Sequence, residues 1–186
     1  LKGEWEPGPR EDFFQTVEEK LGRLPFLAED LGIIPEEVEE LRDEFDFPGM
    51  KILQFAFHGG GAEKYLPHNY PENCVAYTGT HDNNTTLGWY EDEATDEEKR
   101  RVHNYLEENL EYKHGNICWD FIELIWASPA VFAITPLQDI LSLGSEARLN
   151  TPGAPDGNWQ WRFSQDDLTT ELVDRLLGVT ERNNRD

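Results

Sequence analysis

The sequence has no apolar run near the length that is needed to cross a membrane. Its first residues, LKGEWEPGPREDFF, have neither the basic start nor the apolar core of a signal peptide. Cysteine is scarce, since only Cys74 and Cys118 occur, far apart and outside any CxxC pattern. These absences argue against a membrane span, a disulfide framework and a zinc site. They indicate two free thiols in a reducing compartment, and we expect a cytoplasmic protein.

Basic residues are also few, with 16 Lys and Arg against 38 Asp and Glu and a formal net charge of −22. Nucleic-acid binding depends mainly on basic side chains that meet phosphates, so this charge argues against a nucleic-acid partner and against anionic membranes. The acidic residues cluster in segments such as PEEVEELRDEF and EDEATDEEKRR. Two interpretations stay open: solvated helix faces, or adaptation to high salt, where screening reduces the repulsion between carboxylates.

What the sequence does contain is enough apolar material for a core. The 186 residues are 38% hydrophobic and 12% aromatic, which predicts a single domain over residues 1–186. Four short runs are apolar at nearly every position, as strands covered on both faces are in a parallel sheet. They are LPFLA (24–28), MKILQFAF (50–57), CVAYTG (74–79) and AVFAIT (130–135). Helical patterns lie between most of these runs, and the alternation predicts an α/β fold.

Local signals mark where the predicted helices begin and end. Gly22 is the expected C-terminal stop of DFFQTVEEKLG, and Pro35 opens PEEVEELRDEF. Thr95 and Glu98 form a capping-box pattern at the start of TDEEKRRVHNYLEENL. The segments NICWDFIELIWAS and DDLTTELVDRLLGVTERN are predicted to be helices, and the first is apolar enough to pack on the sheet.

Two long loops rich in Gly, Pro and Asn interrupt this alternation. HGGGAEKYLPHNYPEN follows the second apolar run, and GSEARLNTPGAPDGNWQWRF follows the fourth. Loops of this length in compact domains are often functional. Trp159 and Trp161 in the second loop have two possible roles: they anchor the loop to the core, or they offer exposed rings to a sugar.

Polar residues follow each predicted strand, where ligands of α/β folds bind. They are Glu29 and Asp30, His58, the pair His81 and Asp82, and the pair Gln138 and Asp139. Glu29 and Asp82 can face one cavity, and paired carboxylates at a cavity are the groups that cut glycosidic bonds. The residues alone leave simpler alternatives open. Glu29 and Asp30 can form a salt-bridged turn, and the His81 segment can be an ordinary polar turn.

Three long segments, in this order, closely resemble the 4-α-glucanotransferases, which are also called amylomaltases or disproportionating enzymes. They are LAEDLGIIPEEVEELRDEFDFPGMKILQFAF, YLPHNYPENCVAYTGTHDNNTTLGWY and LGSEARLNTPGAPDGNWQWRF. The resemblance covers the chain almost end to end. It implies a (β/α)8 TIM barrel that breaks an α-1,4 bond in a glucan or maltodextrin and passes the glycosyl group to another sugar hydroxyl. It implies no organic cofactor, and we assign no metal ligand.

The resemblance also assigns roles to individual residues. Glu29, in the AEDLG segment, matches the general acid/base, and Asp82, in THDN, matches the carboxylate that stabilises the transition state. His81 matches a residue that binds sugar hydroxyls at the cleavage subsite. Asn83 and Asn150 are further substrate-binding candidates. One position departs from the family, which often has Asp where this sequence has Asn84, and we expect that change to adjust the loop without removing function.

A larger departure is the family's nucleophile, an Asp in a motif that resembles R-x-D-H, which this sequence does not contain. GEWEPGPREDFF resembles the segment that follows that motif, and a complete barrel is typically about 250 residues. We therefore expect the C-terminal half of a barrel, strands five to eight, which needs a missing N-terminal half for activity. Open strand edges predict self-association. The alternatives are a non-catalytic glucan-binding or scaffold fragment, and a hydrolase of the α-amylase superfamily, of which the resembled family is a branch.

Overall fold

The computed structural model describes residue 6 and residues 8–185. Part of the segment GEWEPGPREDFF therefore lies outside the described residues. The chain divides into two compact units, with the boundary between Met50 and Lys51. The prediction of one domain over residues 1–186 stays a prediction.

The first unit contains two helices, α1 (Arg10–Leu21) and α2 (Glu36–Glu44). The predicted stop of α1 is confirmed: Gly22 has a φ of 77°, and its N–H donates to the Glu18 carbonyl at 2.9 Å. Pro35 precedes α2 in extended conformation, as expected of a residue that opens a helix. Both helices carry acids in the first turn and a base in the last, which suits the helix dipole.

Aromatic rings form the apolar centre of the first unit. Phe14 lies with its ring centroid 5.0 Å from Phe47, 5.1 Å from Phe45 and 6.0 Å from Phe26. The predicted strand LPFLA is wrong, because residues 24–28 form no β-ladder. Pro25 has no N–H to donate to a ladder, and the Ala28 N–H makes one isolated bond to the Pro48 carbonyl at 2.9 Å.

Three short strands form one sheet in the order β1-β2-β3. They are β1 (Gly49–Ile52), β2 (Cys74–Tyr77) and β3 (Phe132–Ile134). β2 and β3 are parallel, with Ala76 opposite Ala133. The sheet therefore has three of the four predicted strands, and the prediction of an α/β fold with parallel pairing is confirmed. That the sheet belongs to one half of a barrel stays a prediction.

The second unit contains most of the helices and the larger core. Its helices are α3 (Thr86–Gly88), α4 (Asp96–Asn109), α5 (Ile117–Trp126), α6 (Leu137–Ile140) and α7 (Thr170–Arg182). The capping box of α4 is confirmed, with Thr95 and Glu98 bonded reciprocally. α5 is buried along nearly its whole length, as its apolar sequence predicts. Phe121 of α5 packs against Phe57 and Trp89 in the main core cluster.

Some boundaries differ from the prediction. The run MKILQFAF is a strand only to Ile52 and continues as a 3-10 helix, Leu53–Phe57, because a short buried apolar run satisfies either structure. The last helix begins at Thr170, later than its acidic pattern suggested. The first long loop contains only short 3-10 turns, Ala62–Tyr65 and Pro67–Asn69. A π-helical turn, Trp89–Glu93, follows α3 and was not predicted.

Candidate active site

The turn that follows β2 carries two polar side chains, His81 and Asp82. Asn83 closes this turn, because its Oδ1 accepts hydrogen bonds from the Thr80 main-chain N–H at 2.9 Å and from the Thr80 hydroxyl at 2.8 Å. The Asn83 N–H donates to the Thr80 carbonyl at 3.2 Å. The closed turn leaves the side chains of His81 and Asp82 about half exposed, at 52% and 45%. The segment therefore has the geometry of a polar turn, one of the alternatives that the sequence left open. Both side chains remain accessible in this turn.

The second long loop reaches the same turn through Asn150. The Asn150 N–H donates to the His81 carbonyl at 3.1 Å, and its Nδ2 donates to Asp82 Oδ1 at 2.5 Å. Asp82 Oδ1 also lies 3.3 Å from His81 Nε2. The structure therefore brings together three of the predicted site residues, although Asn150 is 68 positions from Asp82 in sequence. The Asp82 carboxylate is oriented by hydrogen bonding at Oδ1, while Oδ2 has no contact of this kind with residues 6 and 8–185.

Trp159 completes this cluster. Its side chain is 53% exposed, and its ring lies 5.2 Å from the His81 ring at an interplanar angle of 35°. The main-chain N–H of Trp159 donates to the Leu149 carbonyl at 2.7 Å, and the φ of 62° at Trp159 is unusual for a bulky residue. Trp159 is therefore a surface side chain beside His81 and not an anchor in the core. Trp161 is partly buried and stacks on Phe163.

A small cleft of about 160 Å³ lies beside the turn. Its walls come from three parts of the second unit: Gln54, Phe55 and His58; Asp82, Asn83 and Asn84; and Trp89, Glu93, Glu98 and Arg148. His58, a polar residue that we predicted to follow the second strand, lies in this wall with Nδ1 2.6 Å from Glu98 Oε1. Burial opposes ionisation of Glu98, but hydrogen bonds from His58 and Thr95 outweigh it and lower its pKa to about 2. Glu98 therefore stays anionic and fixes the His58 ring.

Arg148 and Glu93 form an ion pair at the cleft, with Nη1 and Oε1 3.0 Å apart. Neither residue was predicted from the sequence. Arg148 Nη2 donates to the Asp82 main-chain carbonyl at 3.0 Å, and its Nε donates to the Asn150 carbonyl at 3.0 Å. Asn84 is buried and donates through Nδ2 to Glu93 Oε1 at 2.8 Å. The spacing of Arg148 and Asn150 in one loop was the available signal, but an arginine in a loop is ordinarily a solvated side chain.

The two acidic residues of the AEDLG segment have different surroundings. Asp30 is an internal contact of the first unit: its carboxylate accepts from Arg42 Nη1 at 2.5 Å and from the Met50 N–H at 2.7 Å. The glycine at 49 leaves room for this carboxylate, since a Cβ there would collide with it. Glu29 is exposed. The salt bridge considered for this segment is thus formed by Asp30. Glu29 remains an accessible carboxylate in the first unit, whereas the Asp82 cluster belongs to the second unit.

The polar pair after β3 is not exposed. Asp139 is fully buried, and its carboxylate accepts from the Thr78 hydroxyl at 2.6 Å, the Thr86 N–H at 2.7 Å and the Thr86 hydroxyl at 2.8 Å. Burial raises the pKa of Asp139 above its ordinary value, although these hydrogen bonds act to lower it. Gln138 is buried too, and its amide donates to the Ala147 carbonyl at 3.3 Å. Both residues therefore link the strand ends to the neighbouring loops.

The described part of the chain has neither a clustered metal-ligand set nor a membrane-spanning helix. Residues 6 and 8–185 contain no group of three His, Cys, Asp or Glu side chains placed to hold a metal ion. Within the same residues, no helix has the length and apolar character that a bilayer span requires. A cytoplasmic location stays a prediction.

Comparison with known proteins identifies the family. The profile of the 4-alpha-glucanotransferase family matches residues 1–169. The chain belongs to this family. A 4-alpha-glucanotransferase from Synechocystis is 48% identical over 96% of the chain and 35% of its own length, and one from Thermus thermophilus is 47% identical over 100% of the chain and 38% of its own length. The chain thus spans little more than a third of the length of these relatives.

A solved structure agrees with this assignment. The amylomaltase from Streptococcus agalactiae in complex with acarbose aligns with a TM-score of 0.90 and 40% identity. The alignment covers 98% of the chain and 36% of that protein. The likeness therefore extends through both units, and it leaves about two thirds of the amylomaltase without a counterpart in this chain.

Proposed function

We propose that this chain is the C-terminal part of the catalytic barrel of a 4-α-glucanotransferase, and that β1, β2 and β3 are strands of that barrel. In this proposal the complete enzyme transfers α-1,4-glucan segments between maltodextrins by a retaining double displacement. The observation that best supports it is the Asp82 cluster, in which Asn150 bonds the carboxylate and His81 lies beside it. Membership of the family supports the same reaction.

Glu29 is the proposed general acid/base. It protonates the leaving oxygen in the first step and takes a proton from the acceptor hydroxyl in the second. Its exposure in the AEDLG segment suits this role, because the carboxyl is free to meet a ligand. Asp82 is the proposed stabiliser of the oxocarbenium-like transition state. A carboxylate that Asn150 already orients loses little freedom when it grips sugar hydroxyls.

His81, Asn83 and Asn150 are the proposed sugar-binding residues, and Trp159 adds an aromatic face. A sugar ring has a rim of hydroxyls and faces of C–H groups, so a site for it combines hydrogen-bonding groups with an apolar surface. The half-exposed His81 side chain and the exposed Trp159 ring lie 5.2 Å apart and supply both. Asn83 and Asn150 support this site in a second way, because they also hold the turn and the loop.

The proposed nucleophile lies outside this sequence, in the remaining part of a chain of the relatives' length. A retaining mechanism needs a second carboxyl group roughly 5–5.5 Å from the acid/base, in line with the scissile bond. The exposure of β3 supports the need for a partner, since Phe132 and Ile134 in the strand are 53% and 43% exposed and Val131 before it is 55% exposed. Apolar strand residues at this exposure favour contact with further protein. We propose that the missing N-terminal half supplies it, with self-association as the alternative when that half is absent.

The test is complementation. The 186-residue chain is mixed with a separately expressed N-terminal half of a relative, and glucose release from maltotriose is measured. We expect glucose and longer maltodextrins only in the mixture. An Asp82→Asn chain is the variant, and Asp156→Asn, which changes an exposed aspartate in the second loop, is the matched control.

The outcomes separate the alternatives. Turnover by the pure chain would contradict the proposal that the nucleophile is elsewhere. Glucose without longer products would identify a hydrolase. Binding of acarbose or maltodextrin with no activity in the mixture, measured by calorimetry, would favour the non-catalytic glucan-binding or scaffold fragment.

A further inference from the structure

Arg148 makes one contact with each of three different parts of the second unit. Its Nη1 meets Glu93 Oε1, its Nη2 donates to the Asp82 carbonyl and its Nε donates to the Asn150 carbonyl, each at 3.0 Å. Its side chain is 25% exposed, so these bonds form in a partly desolvated place. A planar guanidinium is suited to this arrangement because its donors point in fixed, divergent directions.

Two of these contacts are made to the main-chain oxygens of Asp82 and Asn150, whose side chains are hydrogen-bonded to each other. The Asn150 side chain donates to Asp82 Oδ1 at 2.5 Å, while Arg148 bonds the main-chain oxygens of both residues. The bond from Asn150 to the carboxylate depends on the relative position of the turn and the loop, and Arg148 restrains both. Asp82 itself has no ionic contact with Arg148, so the guanidinium acts on the backbone and not on the carboxylate charge.

Glu93, the ion-pair partner of Arg148, is itself held by a hydrogen bond. Glu93 Oε1 accepts from the buried Asn84 Nδ2 at 2.8 Å, and Asn84 also donates to Ser145 Oγ at 2.9 Å. Glu93 lies in the π-helical turn after α3, and Ser145 opens a 3-10 turn in the second loop. The support for Arg148 thus comes from two elements of the second unit, which the buried Asn84 amide connects.

We propose that Arg148 is a positioning residue that fixes the Asp82 carboxylate and Asn150 in the geometry required by the transition state, with Glu93 as the group that holds its guanidinium. This inference deepens the proposed function and rests on it. A displacement of about 1 Å in a group that meets the transition state can lower the rate about 10²-fold. Because the effect falls on the transition state more than on the ground state, it lowers kcat more than it raises KM.

The experiment uses the complete protein, with this chain joined to its N-terminal portion, and maltotriose as substrate. The variants are Arg148→Ala and Arg148→Lys, and Arg100→Lys is the matched control, since Arg100 pairs with Glu97 on the exposed face of α4. Rates are measured well below each melting temperature, so that lost stability does not enter kcat. We expect Arg148→Ala to lower kcat by about 10²-fold with KM changed by less than about threefold.

The lysine variant tests the geometry. An ammonium keeps the charge but cannot reproduce three divergent N–H bonds, so we expect Arg148→Lys to recover less than about a tenth of the lost rate. Glu93→Ala is combined with Arg148→Ala in a double-mutant cycle. If Glu93 acts through Arg148, the double variant will be no slower than Arg148→Ala alone.

Three results would overturn the inference. They are full kcat in Arg148→Lys, an effect confined to KM, and additive losses in the cycle with Glu93. Failure of the proposed function looks different, because the wild-type complete protein would then fail to convert maltotriose into glucose and longer products. That result removes both the proposed function and this inference.

Discussion

Asn84→Asp is a change of one atom that tests how the cleft is held together. Asn84 is 5% exposed, and its Nδ2 donates to Glu93 Oε1 at 2.8 Å and to Ser145 Oγ at 2.9 Å. Its Oδ1 accepts from the Thr85 N–H at 2.9 Å. An aspartate keeps the last bond, has no hydrogen for the other two, and puts a second carboxylate beside Glu93.

The size of the effect follows from these contacts. A hydrogen bond to a charged group contributes about 1.5–3 kcal/mol, and a neutral one about 1 kcal/mol. Two like charges 4 Å apart repel by about 4 kcal/mol at an effective dielectric constant of about 20. Glu93 is 44% exposed and paired with Arg148, so it can turn toward water, and this exposure weakens both its lost bond and its repulsion. We therefore expect a net loss of about 2–4 kcal/mol at pH 7.

The loss should depend on pH with a defined sign. Burial and the nearby Glu93 will raise the pKa of the introduced carboxyl in the folded protein above its value in the unfolded chain. Such a carboxyl has no ionisation cost while it is protonated in both states, and the loss of stability grows as the pH rises from the unfolded pKa to the raised folded pKa. The protonated carboxyl can also donate one bond to Glu93. The difference between wild type and variant should therefore shrink from pH 7 toward pH 4.

Thermal unfolding followed by circular dichroism measures this effect. For a chain of this size about 2–4 kcal/mol corresponds to a fall in melting temperature of about 5–12 °C at pH 7. Asn69→Asp is the control, because Asn69 is exposed and its amide donates only to the Glu63 carbonyl. A fall at pH 7 no larger than that of the control, or one that grows toward pH 4, would refute the reasoning.

Three further predictions concern charge, catalysis and thiol chemistry. With a net charge of −22, the melting temperature should rise from low to molar potassium or sodium chloride, and a flat profile would contradict this. In the complete enzyme, Glu29→Gln should lower transfer from maltotriose by about 10²–10⁴-fold and spare the first step with a glycosyl fluoride, whereas a loss under about tenfold would exclude Glu29 as the general acid. Burial raises the pKa of the Cys118 thiol to about 12. The Cys118 thiol should therefore resist a thiol reagent at pH 8 until the chain unfolds. Mass spectrometry of the native chain after labelling measures this, and modification of Cys118 before unfolding would contradict it.

Helix ends were predictable because their signals are local. Gly22 ends α1 with a positive φ, and Thr95 and Glu98 open α4, as their sequence patterns indicated. Each signal is a hydrogen bond between groups no more than four residues apart. The burial of α5 was predictable for a related reason, since a helix that is apolar on every face must be covered on every face.

The strands were less predictable because a strand exists only through its partner. LPFLA has the apolar composition of a buried strand, yet residues 24–28 pair with nothing in a β-ladder and make one bond to Pro48. AVFAIT has the same composition and is a strand, because β2 lies alongside in register, with Val75 opposite Phe132. The composition of a segment indicates whether it will be buried, whereas its pairing in a β-ladder depends on residues tens of positions away.

In the candidate site, the polar turn was predictable and the directions of its side chains were not. Asn83 and Asn84 are neighbours in one polar turn. Asn83 bonds Thr80 three positions away and lies in the cleft wall, half-buried, while Asn84 is buried and bonds Glu93 and Ser145, nine and 61 positions away. A turn has no period of 2 or 3.6 that would assign a face to each residue. The distant partners of Asn84 therefore occupy its amide, whereas the bonds of Asn83 stay within its own turn. For the same reason a change at Asn84 should act first on stability and a change at Arg148 first on rate, although both residues border one cleft.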